Sequence, residues 1–353
     1  MTAYKPTRPV PRGCALGFFA GRYKAEPEDF VVEEVAAYEP CGEGEHLYLW
    51  TQKRGMSTLD LVDDVARMLD LDPRGIGLAG LKDAQSVSRQ WLSVQGAHED
   101  QVRDLAGNGW RVLRHSRHGN KLKMGHLSGN RFLVTLRGTV AGDLEKAQAN
   151  LAELTLRGVP NYFGEQRFGK RGANLDKGLS ILRGKAKKAA YTMPRRLFGL
   201  MISAVQSEVF NRVIIERLAT LDTLLPGDLA FLHRNGACFP VVNAAAEQAR
   251  ATSFEVSPSG PMPGAKMMQP QGEPLAIEQR VQAAMELPME QFAKLPFGLA
   301  SGERRPLRVP ITEAMARQNE RGLELQFALP RGSFATSVLR ELLEDTIWFQ
   351  ERS

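Results

Sequence analysis

Apolar and polar positions alternate with a period of two over several short stretches of this chain, and with a helical period between them. Leu47 to Lys53 alternates cleanly and Phe30 to Val35 is a second extended run; the loop between them holds Pro40, Gly42 and Gly44, so the two are expected to pair antiparallel. Ser57 stands where a helix N-cap belongs, with Asp60 three residues on. Leu61, Val62, Val65, Met68 and Leu69 then form an apolar stripe that ends before Pro73. Val87 to Val94 alternates again, and a short helix near Glu99 to Ala106 leads to two basic strands, about Trp110 to Arg117 and Lys121 to Gly125, joined at Gly119-Asn120. A strand from Asn130 to Arg137 and a helix with Leu144, Ala147, Leu151 and Leu154 on one face close this part at Gly158.

From Pro160 the texture changes. Gly-rich and basic loops give way to a long helix around Leu197 to Leu218, then to a hairpin signalled by Asn235-Gly236. Ser257 to Pro274 is rich in Gly, Pro and Met without periodicity and is expected to be a long surface loop; a helical pattern follows near Ile277 to Met285. After Glu303 alternation returns at Leu307, Val309 and Ile311 and again at Leu323, Leu325, Phe327 and Leu329, and Ser333 caps a last helix through Leu343. These late strands read like those of the first 157 residues. The expected architecture is α+β and discontinuous, with residues 1–157 and 306–353 forming one domain and 158–305 inserted into it.

Composition narrows the class. At 353 residues the chain is long enough for two cores without disulfides or metals. Cys14, Cys41 and Cys238 are an odd number with no CxxC pair, and His115 and His118 fall in an expected strand where they face opposite sides, so neither a disulfide framework nor a metal site is expected. Lys5, Arg8 and Arg12 precede a weakly apolar run from Cys14 to Gly21, but three prolines and the shortness of the run argue against an export signal. No later run reaches the roughly 18 apolar residues of a membrane span. The expected compartment is the cytoplasm.

Net charge is +6, unevenly placed. From Arg167 to Arg196 ten Lys or Arg face one acid, Asp176, so this window carries +9 and the remainder of the chain −3. A second patch, Arg111, Arg114, Arg117, Lys121, Lys123 and Arg131, contains no acid, and Phe163, Phe168 and Tyr191 are interleaved with the first. Concentrated basic patches with aromatics on a mildly acidic chain suit a phosphate-tracking surface.

Two stretches carry candidate chemistry. Gly75-Ile76-Gly77-Leu78-Ala79-Gly80 matches the G-x-G-x-x-G dinucleotide fingerprint, but a helix precedes it and an extended stretch follows, the wrong frame for a pyrophosphate at a helix N-terminus. Directly beyond it, Gly80-Leu81-Lys82-Asp83-Ala84-Gln85-Ser86-Val87-Ser88-Arg89-Gln90-Trp91 puts Asp83 in a tight loop between two extended segments, where rigid flanks can hold an exposed carboxylate. Alone, Lys82-Asp83 is an ordinary turn pair.

Four further blocks change its weight. They are Lys24-Ala25-Glu26-Pro27-Glu28-Asp29-Phe30-Val31-Val32-Glu33-Glu34, Gly129-Asn130-Arg131-Phe132, Gly158-Val159-Pro160-Asn161-Tyr162-Phe163-Gly164-Glu165-Gln166-Arg167-Phe168-Gly169, and Pro330-Arg331-Gly332-Ser333-Phe334-Ala335-Thr336-Ser337. In this order the five resemble the TruD family of tRNA pseudouridine synthases, over about residues 20 to 345 and weakly between about 222 and 300. The resemblance implies a mixed-sheet pseudouridine synthase catalytic core with an inserted α/β TRUD domain and a tRNA-binding cleft between the two. The activity implied is isomerisation of uridine 13 in the D-arm to pseudouridine.

That reaction exchanges a C–N glycosidic bond for a C–C bond without redox change or net hydrolysis, so no cofactor and no metal is expected. It needs one ionised carboxylate near the ribose, a platform for the detached uracil and a dry pocket. Asp83 is the candidate carboxylate, and attack on the sugar and removal of a ribose proton both remain open to it. Burial makes a carboxylate hold its proton and a nearby cation reverses that; the resemblance implies Lys24 as the cation, while Lys82 is available for phosphate. It also implies Phe132 as a stacking platform for the flipped base, with Asn130 hydrogen-bonding near the carboxylate or the base.

The Phe334-Ala335-Thr336 helix start is expected to supply packing. The Asn161 to Gly169 block is expected to shape a hinge, with Arg167 as a phosphate contact. The expected partner is tRNA, with no membrane, no obligate protein partner and a monomeric chain. A rival reading, an RNA-binding module, shares the basic patches but has no use for Asp83.

Overall fold

In the computed structural model the described residues are 12–14, 17–185, 192–295 and 300–344. Strands β1 (Phe30–Ala36), β2 (His46–Arg54), β3 (Gly77–Leu78), β4 (Val87–Gln95), β5 (Ala106–Gly107), β6 (Trp110–His118) and β7 (Leu127–Leu136) come first, with helices α1 (Thr58–Met68) and α2 (Asp143–Arg157). Next follow β8 (Val159–Pro160), α3 (Ala173–Leu182), α4 (Arg195–Glu216), β9 (Leu229–Leu232), β10 (Cys238–Pro240), α5 (Ala244–Thr252), β11 (Val256–Met262) and α6 (Gly272–Ala284). The chain continues through β12 (Glu303–Pro306), β13 (Arg308–Val309), β14 (Thr312–Asn319), β15 (Gly322–Pro330) and α7 (Ala335–Leu342).

Among the described residues, two compact units divide these elements: 17–155 with 311–335 and 342–344, and 12–14 with 156–310 and 336–341. Residues 12–14 and 336–341, expected from the sequence to belong with the first unit, group instead with 156–310. Residues 306–310 belong with 156–310 because Leu307 is buried in that unit's core and β13 pairs with β8.

The first unit is organised by a mixed nine-stranded sheet in the order β14-β15-β7-β1-β4-β2-β6-β5, with β3 on β4. Contrary to the expectation of a β1–β2 hairpin, β1 lies parallel to β4 and antiparallel to β7, while β2 pairs antiparallel with β4 and β6. The intervening β2, α1 and β3 make a crossover long enough for a parallel pair, which a hairpin rule does not anticipate. Lys121 to Gly125 is likewise no strand; it loops over the sheet, where Leu122 is buried.

Helix α1 begins as its sequence implies: Ser57 Oγ accepts Asp60 N and Asp60 Oδ2 accepts Ser57 N, both at 3.1 Å. Leu61, Val62 and Val65 pack on Leu47, Leu49, Leu92 and Val94 of one sheet face. Ahead of β1, Asp29 is fully buried and is shared by Arg137 (Nη2 to Oδ1, 2.9 Å) and Arg321 (Nη2 to Oδ1, 2.9 Å), which ties β1 to β7 and to the β14–β15 turn. Asp29→Ala takes the buried carboxylate from two arginines that keep Glu26 as a partner, at 2.9 Å from Arg137 and 3.4 Å from Arg321. It is expected to lower the unfolding free energy by about 1–2 kcal/mol, below the cost of breaking a fully buried pair because both arginines also reach water, as read by urea denaturation.

The second unit is built on α4, the one described helix long and apolar enough to cross a membrane and a correction to the expectation of none. Most of it is buried in protein, and its inward polar groups are paired: Gln206 Nε2 donates to Pro263 O (2.7 Å), and Asn211 exchanges bonds with the Phe163 backbone. A helix buried on nearly all sides is apolar all round. Ser257 to Pro274 is the larger correction. Its first part is β11, buried at every position and central in the sheet β10-β9-β11-β12. A Cβ on Gly260 would come within 2.6 Å of Leu307 and 3.0 Å of Phe210, so glycine there permits the close approach. A strand covered on both faces shows no alternation.

Candidate active site

Asp83 lies in the loop of residues 79–86 that leads into β4, with its side chain 43% exposed. The loop is tied down by several hydrogen bonds around it. Asp83 Oδ1 accepts Gln85 N (3.0 Å), and Asp83 O accepts Ser86 Oγ and Lys53 Nζ, both at 2.7 Å. One residue earlier, Lys82 N donates to Thr58 Oγ1 at the start of α1 (2.8 Å), and Thr58 Oγ1 donates to buried Gln90 Oε1 (3.0 Å). The backbone is therefore fixed by α1, β2 and β4 together, while the carboxylate is presented outward.

Lys24 closes on that carboxylate, with Nζ 2.5 Å from Asp83 Oδ2 and its side chain 14% exposed. The ammonium sits 4.6 Å from the Phe30 ring centroid, a cation–π distance. Phe132 follows beneath: its centroid is 6.1 Å from Phe30 and 5.4 Å from Phe327, and only 7% of it is exposed. The strand register explains the grouping, since Phe132 of β7 lies opposite Val32 of β1 and Phe327 of β15 and so shares their face. Asn130, two residues earlier, is on the same face opposite Glu34; its Oδ1 is buried and makes no hydrogen bond among the described residues. Lys24 itself has φ of 61°, a left-handed conformation costly for a side-chain-bearing residue. Such outliers gather at functional sites.

Several positions differ from the reading of the sequence. Lys82 does not turn toward phosphate: its Nζ is 2.6 Å from Glu34 Oε2 in a pair whose side chains are 4% and 1% exposed. Burial pushes the Glu34 carboxyl above its ordinary range, opposed by Lys82. Arg167 is drawn inside its own unit, onto Ser203 and Ser207 and over the Phe163 ring, and burial lowers its pKa; it is not a free phosphate contact. The rest of that block is a clamp: Asn161 Nδ2 donates to Pro306 O (2.9 Å), and Tyr162 and Phe168 enter the core. Phe334, expected to pack, is 51% exposed, while Ala335 beside it is buried.

The basic patch on β6 is partly neutralised, with Arg117 on Glu99 and Arg114 near Glu39; Lys187, Lys188 and Tyr191 of the other lie outside the described residues. In the G-x-G-x-x-G stretch a Cβ on Gly77 would stand 2.3 Å from Leu122 O and 2.4 Å from Ser93 Oγ, so this glycine serves a close backbone approach rather than a phosphate.

Reading the sequence missed Lys53. It is fully buried on the inward face of β2, in line with Leu47, Leu49 and Thr51, and its ammonium donates to Met56 O and Asp83 O, both at 2.7 Å. Burial pushes its pKa down to about 8. The alternation that marked β2 as a strand already placed a lysine on the apolar face, which was the signal available.

Comparison with known proteins agrees with this architecture along nearly the whole chain. The model of the family described as tRNA pseudouridine synthase D (TruD) matches residues 16–193 and 183–342. The tRNA pseudouridine synthase D of Geobacter metallireducens is 41% identical, covering 92% of this chain and 95% of the relative. That of an Anaeromyxobacter species is 44% identical, over 92% and 93% of the two chains. The crystal structure of a protein described as a putative tRNA pseudouridine synthase D (TruD) from Methanosarcina mazei superposes with a TM-score of 0.82 over 94% of this chain and 95% of that one; at 23% identity it speaks to the fold. On the extent of these matches, the chain belongs to the TruD family of tRNA pseudouridine synthases, which are isomerases.

Proposed function

We propose that this chain converts uridine 13 in the D-arm of tRNA to pseudouridine, with Asp83 as the essential carboxylate. The observation that carries this reading is a half-exposed carboxylate on a loop held by three elements, paired with Lys24 and neighboured by the aromatic group Phe30, Phe132 and Phe327. The C1′–N1 bond breaks, the uracil turns and C1′–C5 forms. C5 loses a proton and N1 gains one, so product and substrate are isomers. Asp83 either attacks C1′ and is later displaced, or removes the C2′ proton and returns it; both routes require an ionised carboxylate against the ribose. Lys24 balances that charge, and Phe132, 7% exposed in the free protein, is the aromatic side chain assigned to stack on the loose base. Asn130, with its unpartnered Oδ1, is the polar group assigned to the base. The unit containing Asp83 is the catalytic one in this reading, and the protein works in the cytoplasm.

The test is pseudouridine mapping on two tRNA transcripts, one with uridine and one with cytidine at position 13, incubated with purified protein. Product at position 13 of the first alone is expected. Product elsewhere sinks the assigned position, and binding without product favours an RNA-binding module.

A further inference from the structure

We propose that Lys53 is a positioning residue for the Asp83 reaction, its buried ammonium fixing the Asp83 backbone and setting positive potential under the carboxylate. The inference rests on Asp83 being the catalytic carboxylate. Lys53 is fully enclosed, yet its two hydrogen-bond partners are neutral carbonyls, Met56 O and Asp83 O, and among the described residues no carboxylate pairs with it. A buried ammonium without an ion-pair partner is expensive, and its sheet neighbours on this face, Thr51 and Ser88, are neutral as well.

What the ammonium does there is specific. It bridges the turn before α1 to the Asp83 loop, so the Asp83 carbonyl has two donors, Lys53 Nζ and Ser86 Oγ, each at 2.7 Å. With Gln85 N on Oδ1, the Asp83 residue is held at both its main chain and its side chain. The charges facing Lys53 are Asp83 and Asp60, which favour the ammonium, and Lys82, which opposes it. Lys82 spends its charge on Glu34, so Lys53 is the buried cation left to act on Asp83 from beneath, while Lys24 acts from the side. A preorganised charge needs no reorganisation during the reaction, which is where such groups gain their effect.

The experiment measures single-turnover pseudouridine formation and tRNA affinity for wild type, Lys53→Met and Asp83→Asn, with the wild-type rate followed against pH. Lys53→Met is expected to be about 30-fold slower at pH 7 with a Kd for tRNA within threefold of wild type. The wild-type rate should fall with a one-proton slope near pH 8, where Lys53 loses its charge, and this limb should vanish in Lys53→Met. Unfolding does not mimic that limb. The folded lysine releases its proton near 8 and the unfolded one only near 10.5, so between these values the unfolded chain binds more protons and Lys53's own contribution to stability rises with pH.

A Lys53→Met rate within threefold of wild type, or a wild-type rate flat from about pH 7 to 9.5, overturns the proposal; the second arm decides it even where the variant does not fold. Should Asp83→Asn make product, the reading of Asp83 itself fails. If it is inert while Lys53→Met is fully active, only the positioning role falls.

Discussion

Asp83→Asn is expected to lower the single-turnover rate of pseudouridine formation by at least about 10⁴-fold, some 5 kcal/mol of transition-state stabilisation, while tRNA affinity stays within about threefold. The asymmetry follows from where Asp83 gets its support. Oδ1 accepts Gln85 N and the main-chain carbonyl accepts Lys53 and Ser86, contacts that an asparagine of the same shape can keep. What the substitution removes is the charge facing Lys24 and the capacity to attack carbon or take a proton. Because the carboxylate is 43% exposed, its ion pair adds little to folding, about 0–1 kcal/mol, so the variant should remain folded and comparable with wild type. Asp83→Glu sharpens the test. It keeps the charge but carries it one methylene further from a loop whose backbone is fixed, and is expected to recover less than a hundredth of the wild-type rate. Recovery to within tenfold would mean that the carboxylate serves as a bulk charge rather than a placed reactant.

The Asp83 loop was legible in the sequence because the signals around it are local. Glycine and a short apolar run before it and clean alternation after it mark a loop between extended segments, and the capping box at Ser57 marks the helix that braces it. The parallel pairing of β1 and β4 was not legible, since it is decided by which strands share a core face and not by the residues joining them. Strand β11 was hidden for the opposite reason: burial on both faces erased its period, and Pro258, Gly260 and Pro261 imitate a loop. Lys82 was visible as a lysine beside the site, and Lys53 only as a lysine on the apolar face of β2. The ion pair shows that Lys82 turns inward to Glu34, and the register shows that Lys53 stands on the same face as Ser88, beneath the loop. Side-chain direction in a strand is set by parity, so a one-residue ambiguity in register reverses the chemistry assigned to a basic residue.

Lys24→Met is expected to cost about 10²–10³-fold in rate with little change in tRNA affinity, the second-largest effect at the site. The pair it forms with Asp83 is half-open to water in the free protein, where screening keeps it weak. Once tRNA covers the loop and water leaves, the same ammonium acts at close range in a medium of lower dielectric, so its contribution appears in the bound, reacting state and not in folding. The backbone offers an independent check. Lys24 is held at φ of 61°, a conformation that costs an L-residue roughly 1–2 kcal/mol and glycine almost nothing. Lys24→Gly should therefore be about 1 kcal/mol more stable to urea than Lys24→Ala, which keeps the strain and loses the same pair. Both should be as slow as Lys24→Met. A Lys24→Gly protein that folds at least as well as Lys24→Ala but does not turn over would show the chain holding a strained residue at this position for the reaction alone. Equal stability of the two would mean that the left-handed backbone relaxes when the side chain is gone, and that the ion pair, not the loop, holds Lys24 in place.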